Sequence, residues 1–370
     1  MFKSHTIQQA VNHLLDAESP HQHIPGLPHF DKIRVIGPCT HQVLGDGIWE
    51  LTDLSTGEIR QASTPINGTL EHSACTYYVR SRRVHGKVAE QLEFHVCPPL
   101  LLQKHNVFGH SDLLSYVLRI FDLLTKKLGI NVSPDERLLW SRGQFKLTEV
   151  HLTANFGCPL SAVLDIINAI DQNTPSGKHR DLESEISLGF TKKRRSKHRV
   201  LTVYSKYLKL LEDWPHPGTL RAKILAEYRD SLRAELKLYS QGLKAKGLQW
   251  GWAWKDVDVG KLYFDGIASF NLRAAIQPKL TEHEIETLTL PEFKVYDAWL
   301  KGTAVKDQFS SRSTAHKYIR AIYAKTGVDC SANRRPDALP IIDLEQVFSQ
   351  ENVIPVPDWA IGTHCYVPPH

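Results

Sequence analysis

Apolar and polar residues alternate in several short segments between residues 31 and 97. "KIRVIG", "GIWELTDL", "TYYVRSRRV" and "EQLEFHV" are rich in β-branched and aromatic residues, and each predicts a strand. The period then changes. In "HSDLLSYVLRIFDLLTKKLGI", Leu114, Val117, Leu118, Phe121 and Leu124 recur at helical spacing. Ser111 stands where an N-cap belongs, and Gly129 ends the run. "QFKLTEVHLTANF" predicts another strand and "SAVLDIINAIDQ" a shorter helix. "RVLTVYSK" and "SLRAELKLYS" then flank a helical "GTLRAKILAEYRD", with the polar connection "SGKHRDLESEISLGFTKKRRSKHR" before them leaving room for one more strand. This order predicts an α+β domain: a mostly antiparallel sheet with helices on one face.

Two further regions stand apart. Residues 1–30 form an expected extension, in which Ile7, Val11, Leu14 and Leu15 run into the linker-like "SPHQHIPGLPHF". The main domain is expected over 31–280. From 285 to 370 the pattern is helical, with "LPEFKVYDAWLKG", "TAVKDQFS" and "SRSTAHKYIRAIYAKTG" resembling a helix-turn-helix. On its last helix, which Ser313 is placed to cap, Tyr318, Ile319, Ile322 and Tyr323 are expected inside. His316, Lys317 and Arg320 would face out, as on a DNA-reading helix; a plain helical appendage gives the same pattern.

Sorting each strand into its two faces brings out chemistry. Glu93 and His95 oppose Leu92, Phe94 and Val96. Glu149, His151 and Thr153 oppose Val150 and Leu152. Arg233, Glu235, Lys237 and Tyr239 oppose Leu232, Ala234, Leu236 and Leu238, and Thr202, Tyr204 and Lys206 oppose Leu201 and Val203. A half-wet antiparallel sheet needs polar alternation, but not glutamate and histidine repeatedly. If these strands share a sheet, Glu149, His151 and Glu235 offer oxygen and imidazole ligands to Mg²⁺ or Mn²⁺. Beside such an ion, a tyrosine oxygen at 204 can attack a phosphodiester and keep the bond as a phosphotyrosine linkage, with Lys206 favouring the phenolate.

Charge changes the picture by its distribution. The net +5 is modest, but Lys192, Lys193, Arg194, Arg195, Lys197 and Arg199 crowd together, and Arg80, Arg82, Arg83 and Lys87 form a second cluster. Both suit a polyanion, although a solvated loop also explains such runs. Six cysteines, Cys39, Cys75, Cys97, Cys158, Cys330 and Cys365, include no CxxC pair, so neither a disulfide framework nor a zinc site is expected. With no secretory pattern and no apolar run long enough for a membrane span, a cytoplasmic setting without a membrane partner is expected.

Several of these segments resemble the gene II-type replication initiators of filamentous phages. "LLLQKHNVFGHSDLL" is similar to the family's "LQGHNVFG" hallmark, and "SKHRVLTVYSKYLKL" to its basic-strand-tyrosine block. "LRAELKL" resembles its Arg-x-Glu strand and "PDWA" a late Pro-Asp-Trp, while the last third is similar to its C-terminal, phage X-type module. The resemblance spans residues 30–360. It implies a rolling-circle initiator that nicks one strand of the double-stranded replicative form at an origin and stays attached through tyrosine. It later cuts and rejoins the displaced single strand. Tyr204 falls on the nicking tyrosine and Lys206 on its accompanying lysine.

The implied partners are origin DNA, the displaced single strand and the host replication helicase and polymerase, in a bacterial cytoplasm. Where the family pattern has Arg-hydrophobic-Asp, this chain has Glu149-Val150-His151, which leaves the ligand set open. Arg233 is an accessory candidate, and Tyr207 is either a second nucleophile or a packing residue. His105 and Asn106 either face DNA or metal, or hold the loop before the long helix. A non-catalytic DNA-binding regulator, or a relaxase or transposase of related chemistry, fits the same features.

Overall fold

A computed structural model describes residues 26–369 apart from 58, 71–74, 175–176, 181, 192–193, 215–216, 271, 273–279, 327, 329 and 332–343. The expected extension up to residue 25 lies outside the described residues. The first strands are β1 (His29–Gln42), β2 (Ile48–Thr52), β3 (Ile59–Ser63), β4 (Ile66–Thr69), β5 (Thr76–His85) and β6 (Val88–Val96). They are followed by β7 (Lys146–Gly157), β8 (Lys178–His179), β9 (Glu185–Leu188), β10 (Phe190–Thr191), β11 (Arg194–Arg195), β12 (Arg199–Ser205) and β13 (Ser231–Tyr239).

Eleven strands form one sheet in the order β2-β3-β5-β6-β1-β7-β13-β12-β9-β8, with β4 beside β5. The pairings are antiparallel, as the alternation predicted. Strands β10 and β11 pair separately as a small ribbon.

One face of the sheet is apolar. Phe30, Ile33, Val35, Phe94, Val150, Leu152, Leu201, Val203, Leu236 and Leu238 are buried there with residues of the helices Leu113–Lys127, Leu160–Asn173 and Val259–Ala268. Trp140, on the helix Pro134–Ser141, fixes one corner: its ring stacks on Phe121 at 4.1 Å and Nε1 donates to the Pro38 carbonyl at 2.7 Å. Gly37 is required beneath it, because a Cβ there would stand 2.3 Å from the indole ring.

Some local expectations shift. The N-cap of the long helix is Asp112, which accepts from Ser115 N–H at 3.0 Å, rather than Ser111. Its buried stripe is Leu113, Tyr116, Val117, Ile120, Phe121 and Leu124, so Leu114 and Leu118 lie at the margin.

The described residues beyond 280 contribute to more than one apolar cluster. Leu280, Leu288, Val295, Tyr296, Trp299, Val305, Ala315 and Ile322 form a core of their own. On the helix Arg312–Thr326, His316, Lys317 and Arg320 are exposed as anticipated; Tyr323 is exposed too, although it was expected inside. That helix starts at Arg312, so Ser313 lies within its first turn rather than capping it.

The chain beyond residue 343 packs on the sheet domain instead. Leu344, Phe348 and Val353 join the main core, and Ile354 N–H donates to the Asn155 carbonyl at 2.8 Å. Val356, Ala360, Cys365 and Tyr366 complete a third cluster with Val107, Phe108, Leu210, Ile224 and Tyr228. No described helix is long and apolar enough to cross a membrane.

Candidate active site

The other face of the sheet is polar, and register aligns its groups across strands. Tyr204 on β12 is opposite Arg233 on β13, and Thr202 opposite Glu235. Lys237 is in turn opposite His151 on β7, and Arg34 on β1 opposite Glu149. All these side chains stand on one side because alternate residues of every strand share a face.

One residue arrives there by irregularity. The β1–β7 register shifts between Phe30 and Lys32, and Asp31 lies at that bulge. Ligand atoms of Asp31, His151 and Glu235 all lie within 4.8 Å of one another, and all three residues are buried. The strand alternation predicts Glu149, His151 and Glu235 as the ligand set. Glu149 instead occupies the far side of the imidazole: His151 Nδ1 donates to Glu235 Oε1 at 2.7 Å and Nε2 to Glu149 Oε1 at 2.8 Å.

The electrostatics follow from this packing. A carboxylate only accepts, so both His151 nitrogens carry protons. Burial lowers the pKa of His151, but the hydrogen bonds to Glu149 and Glu235 outweigh it and raise the value. Burial opposes ionisation of Glu149 as well, yet His151, His95 and Arg34 bring it to about 2. For Glu235, Lys237 and His151 overcome the same cost and hold the carboxyl well below its ordinary range. Three ionised or ionisable oxygen and nitrogen donors converging in this way suit a hard divalent cation.

Tyr204 is half-buried at the end of β12. Burial lifts its phenol well above 10, and the charge and hydrogen bond of Arg233 pull it back. Arg233 is fully buried. Its Nε donates to Asn155 Oδ1 at 2.8 Å, and Nη2 donates to the Asn106 and Val107 carbonyls at 2.7 and 2.6 Å. Nη1 lies 3.7 Å from Asp31. The strand ends at Ser205, whose hydroxyl caps the helix Lys206–Asp213, so Lys206 turns inward and is buried. Burial, then Arg233, lowers its pKa to about 7 against the pull of Asp31. Tyr207 is half-buried on the first turn of that helix.

The loop of His105 and Asn106 forms the wall. His105 Nε2–H donates to the Cys365 carbonyl at 2.9 Å, while Nδ1 accepts from Val107 N–H. Burial lowers this imidazole to about 4, so it is a neutral strut. Asn106 has a different place: its Oδ1 accepts from Lys206 Nζ and its Nδ2 donates to Asp31 Oδ1, each at 2.8 Å.

The basic run separates. Lys192, Lys193 and the side chain of Arg194 lie outside the described residues. Arg195, exposed on β11, stacks 4.3 Å from the Tyr239 ring, which meets the His151 ring edge-on at 6.3 Å. Lys197 is exposed. Arg199 pairs with Leu238 on the helix-covered face and packs on Phe270, away from the polar surface.

A family model described as the N-terminal part of the gene II replication-associated protein matches residues 30–257, well over half of the chain. The chain belongs to this gene II-type replication-initiation family. The match takes in every residue of the candidate centre and ends before the helices after 280, so the resemblance of the last third stays a sequence reading. Among solved structures, the chain is similar to a rolling circle replication initiator protein from Geobacillus stearothermophilus. That alignment has 8% identity and a TM-score of 0.29, covers 65% of this chain and 84% of that one, and supports no conclusion by itself. No curated protein matches.

Alternation does not account for two residues of the candidate centre, Asp31 and Asn106. Asp31 was missed because strict alternation assigns one residue per step, whereas a bulge gives two residues to one side. The signal was the spacing of apolar Phe30 and Ile33 by three in a strand that otherwise alternates. The bridging place of Asn106 carried no periodic signal, because it belongs to a loop.

Proposed function

We propose that this gene II-type protein nicks one strand of double-stranded origin DNA and later rejoins the displaced strand, through a covalent 5′-phosphotyrosine at Tyr204. The observation that carries this reading is the placement of Tyr204 against Arg233 on the same sheet face as the Asp31, His151 and Glu235 cluster. In the cleavage step the Tyr204 oxygen forms a bond to phosphorus while the bond from phosphorus to the 3′-oxygen breaks. The phenol proton leaves and the departing 3′-oxygen takes one up.

Arg233 favours the phenolate by its charge. Lys206, with a pKa of about 7, is able to exchange a proton near neutral pH. Asp31, His151 and Glu235 would hold Mg²⁺ or Mn²⁺, with His151 first giving up a proton; Glu149 then accepts from the remaining ring N–H and orients the imidazole. Such an ion, when bound, polarises phosphoryl oxygens and offsets the charge that develops on them. Because the linkage keeps the phosphoester energy, the same groups run the reaction backwards to close a strand. Arg195, Lys197, Lys317 and Arg320 are assigned to phosphate contacts; Arg199, on the other face, is not.

The test is a supercoiled plasmid carrying the origin of the replicon that encodes this chain, incubated with protein and Mg²⁺. Open circles with protein on the 5′ end are expected, and Tyr204→Phe should bind the plasmid without opening it. Wild-type nicking by Tyr204→Phe would remove Tyr204 from this role.

A further inference from the structure

The polar face continues past the candidate centre. Lys32 is opposite His151, Arg34 is opposite both Glu149 and His95, and Tyr78 is opposite His95. Here β5, β6 and β1 form a groove of about 350 Å³ lined by Lys32, Arg34, Tyr78, Arg80, Glu93 and His95. Its one carboxylate, Glu93, lies 3.8 Å from Arg34 and 3.6 Å from Arg82. Among the described residues Lys32 and Arg80 have no ion-pair partner, and Arg80 Nε is buried without a hydrogen bond. The groove therefore keeps a positive surplus facing open space. At its far rim Tyr78 is 45% exposed, with its ring tilted 6.3 Å from that of His95.

A cationic groove ending in an exposed aromatic ring is how a protein grips a single strand: cations follow the phosphates and a base stacks on the ring. A duplex keeps its bases stacked inside and has none to offer Tyr78. From β7, which carries His151, to β5, which carries Tyr78, are three strand spacings, about 14 Å, a reach of a few nucleotides. We infer that the β5–β6–β1 groove is a subsite for the single-stranded DNA next to the cleaved phosphate, with Tyr78 as the base platform and Lys32 and Arg80 as phosphate contacts. Adjacency of this subsite to the cleaved phosphate rests on the nicking role proposed above; strand binding itself does not.

The experiment is fluorescence anisotropy of the full chain with labelled oligothymidylate and, separately, a blunt duplex. Tyr78→Ala should weaken oligothymidylate binding about tenfold and leave duplex binding unchanged, while Tyr78→Phe keeps wild-type affinity. Arg80→Gln should lower the slope of log affinity against log salt by about 0.7 for the single strand. Circular dichroism and thermal unfolding of each variant establish that it is folded. Unaltered oligothymidylate binding by folded Tyr78→Ala, or equal losses for single strand and duplex, overturns the subsite. If wild-type protein fails to nick yet Tyr78 still governs single-strand binding, the nicking role fails and the subsite stands; nicking without Tyr78 dependence gives the reverse.

Discussion

The buried amine of Lys206 donates to Asn106 Oδ1 at 2.8 Å, and the amide of that same asparagine donates to Asp31 Oδ1. One loop residue thus ties Lys206 to a carboxylate of the candidate metal cluster. Asn106 is itself held through its carbonyl by Arg233, the partner of Tyr204. The phenol, the amine and the cluster are therefore braced as a unit.

The first prediction concerns Lys206. Burial lowers its pKa from 10.5 to about 7, so below that pH the fold carries a buried charge at full cost. As pH rises from there towards 10.5, the folded state has released a proton that the unfolded chain retains, and the cost shrinks. Between about pH 6 and pH 9, the stability of wild type relative to Lys206→Met should rise by about 3 kcal/mol. Urea unfolding at both pH values measures this. Parallel curves for the two proteins would show that the amine is not perturbed.

The second concerns the metal. Asp31→Asn and Glu235→Gln should each raise the Mn²⁺ dissociation constant by about 100-fold or more, and Glu149→Gln by about tenfold, because Glu149 acts through His151. Since Glu149 and Glu235 raise the His151 pKa, that proton competes with the ion, and wild-type affinity should climb with pH until the imidazole is neutral. Calorimetric Mn²⁺ titration reads both effects without an activity assay. Equal losses for Glu149→Gln and Asp31→Asn would contradict the assignment of Asp31.

The third concerns the C-terminal segment. Its residues 344–367 close the cluster around Phe108 and accept the His105 N–H. Deleting residues 344–370 should lower the melting temperature of the sheet domain and expose apolar surface to a hydrophobic dye. An unchanged main melting transition would mean that the segment is a detachable appendage.

Much of this was legible because β-strands write their geometry into alternation. The split of Tyr204, Arg233, Glu235, Glu149 and His151 from their apolar neighbours is a period-2 signal, and the sheet keeps it. What escaped depends on broken periods or distant contacts. Asp31 enters through a bulge, and Arg199 was grouped by charge with residues that point elsewhere. The return of residues 344–367 to the sheet domain rests on packing around Phe108 and Tyr228, which no local pattern encodes. The short strands β3 and β4 were missed for a similar reason: at five and four residues they offer too little repeat to recognise.

The most direct measurement is mass-spectrometric mapping of protein trapped on a short single-stranded fragment of the origin in the presence of Mg²⁺. The expected result is one peptide, carrying Tyr204, linked to a nucleotide 5′-phosphate, with no adduct in Tyr204→Phe. An adduct on Tyr207 instead, or efficient cleavage that leaves no protein–DNA linkage, would contradict a phosphotyrosine at Tyr204.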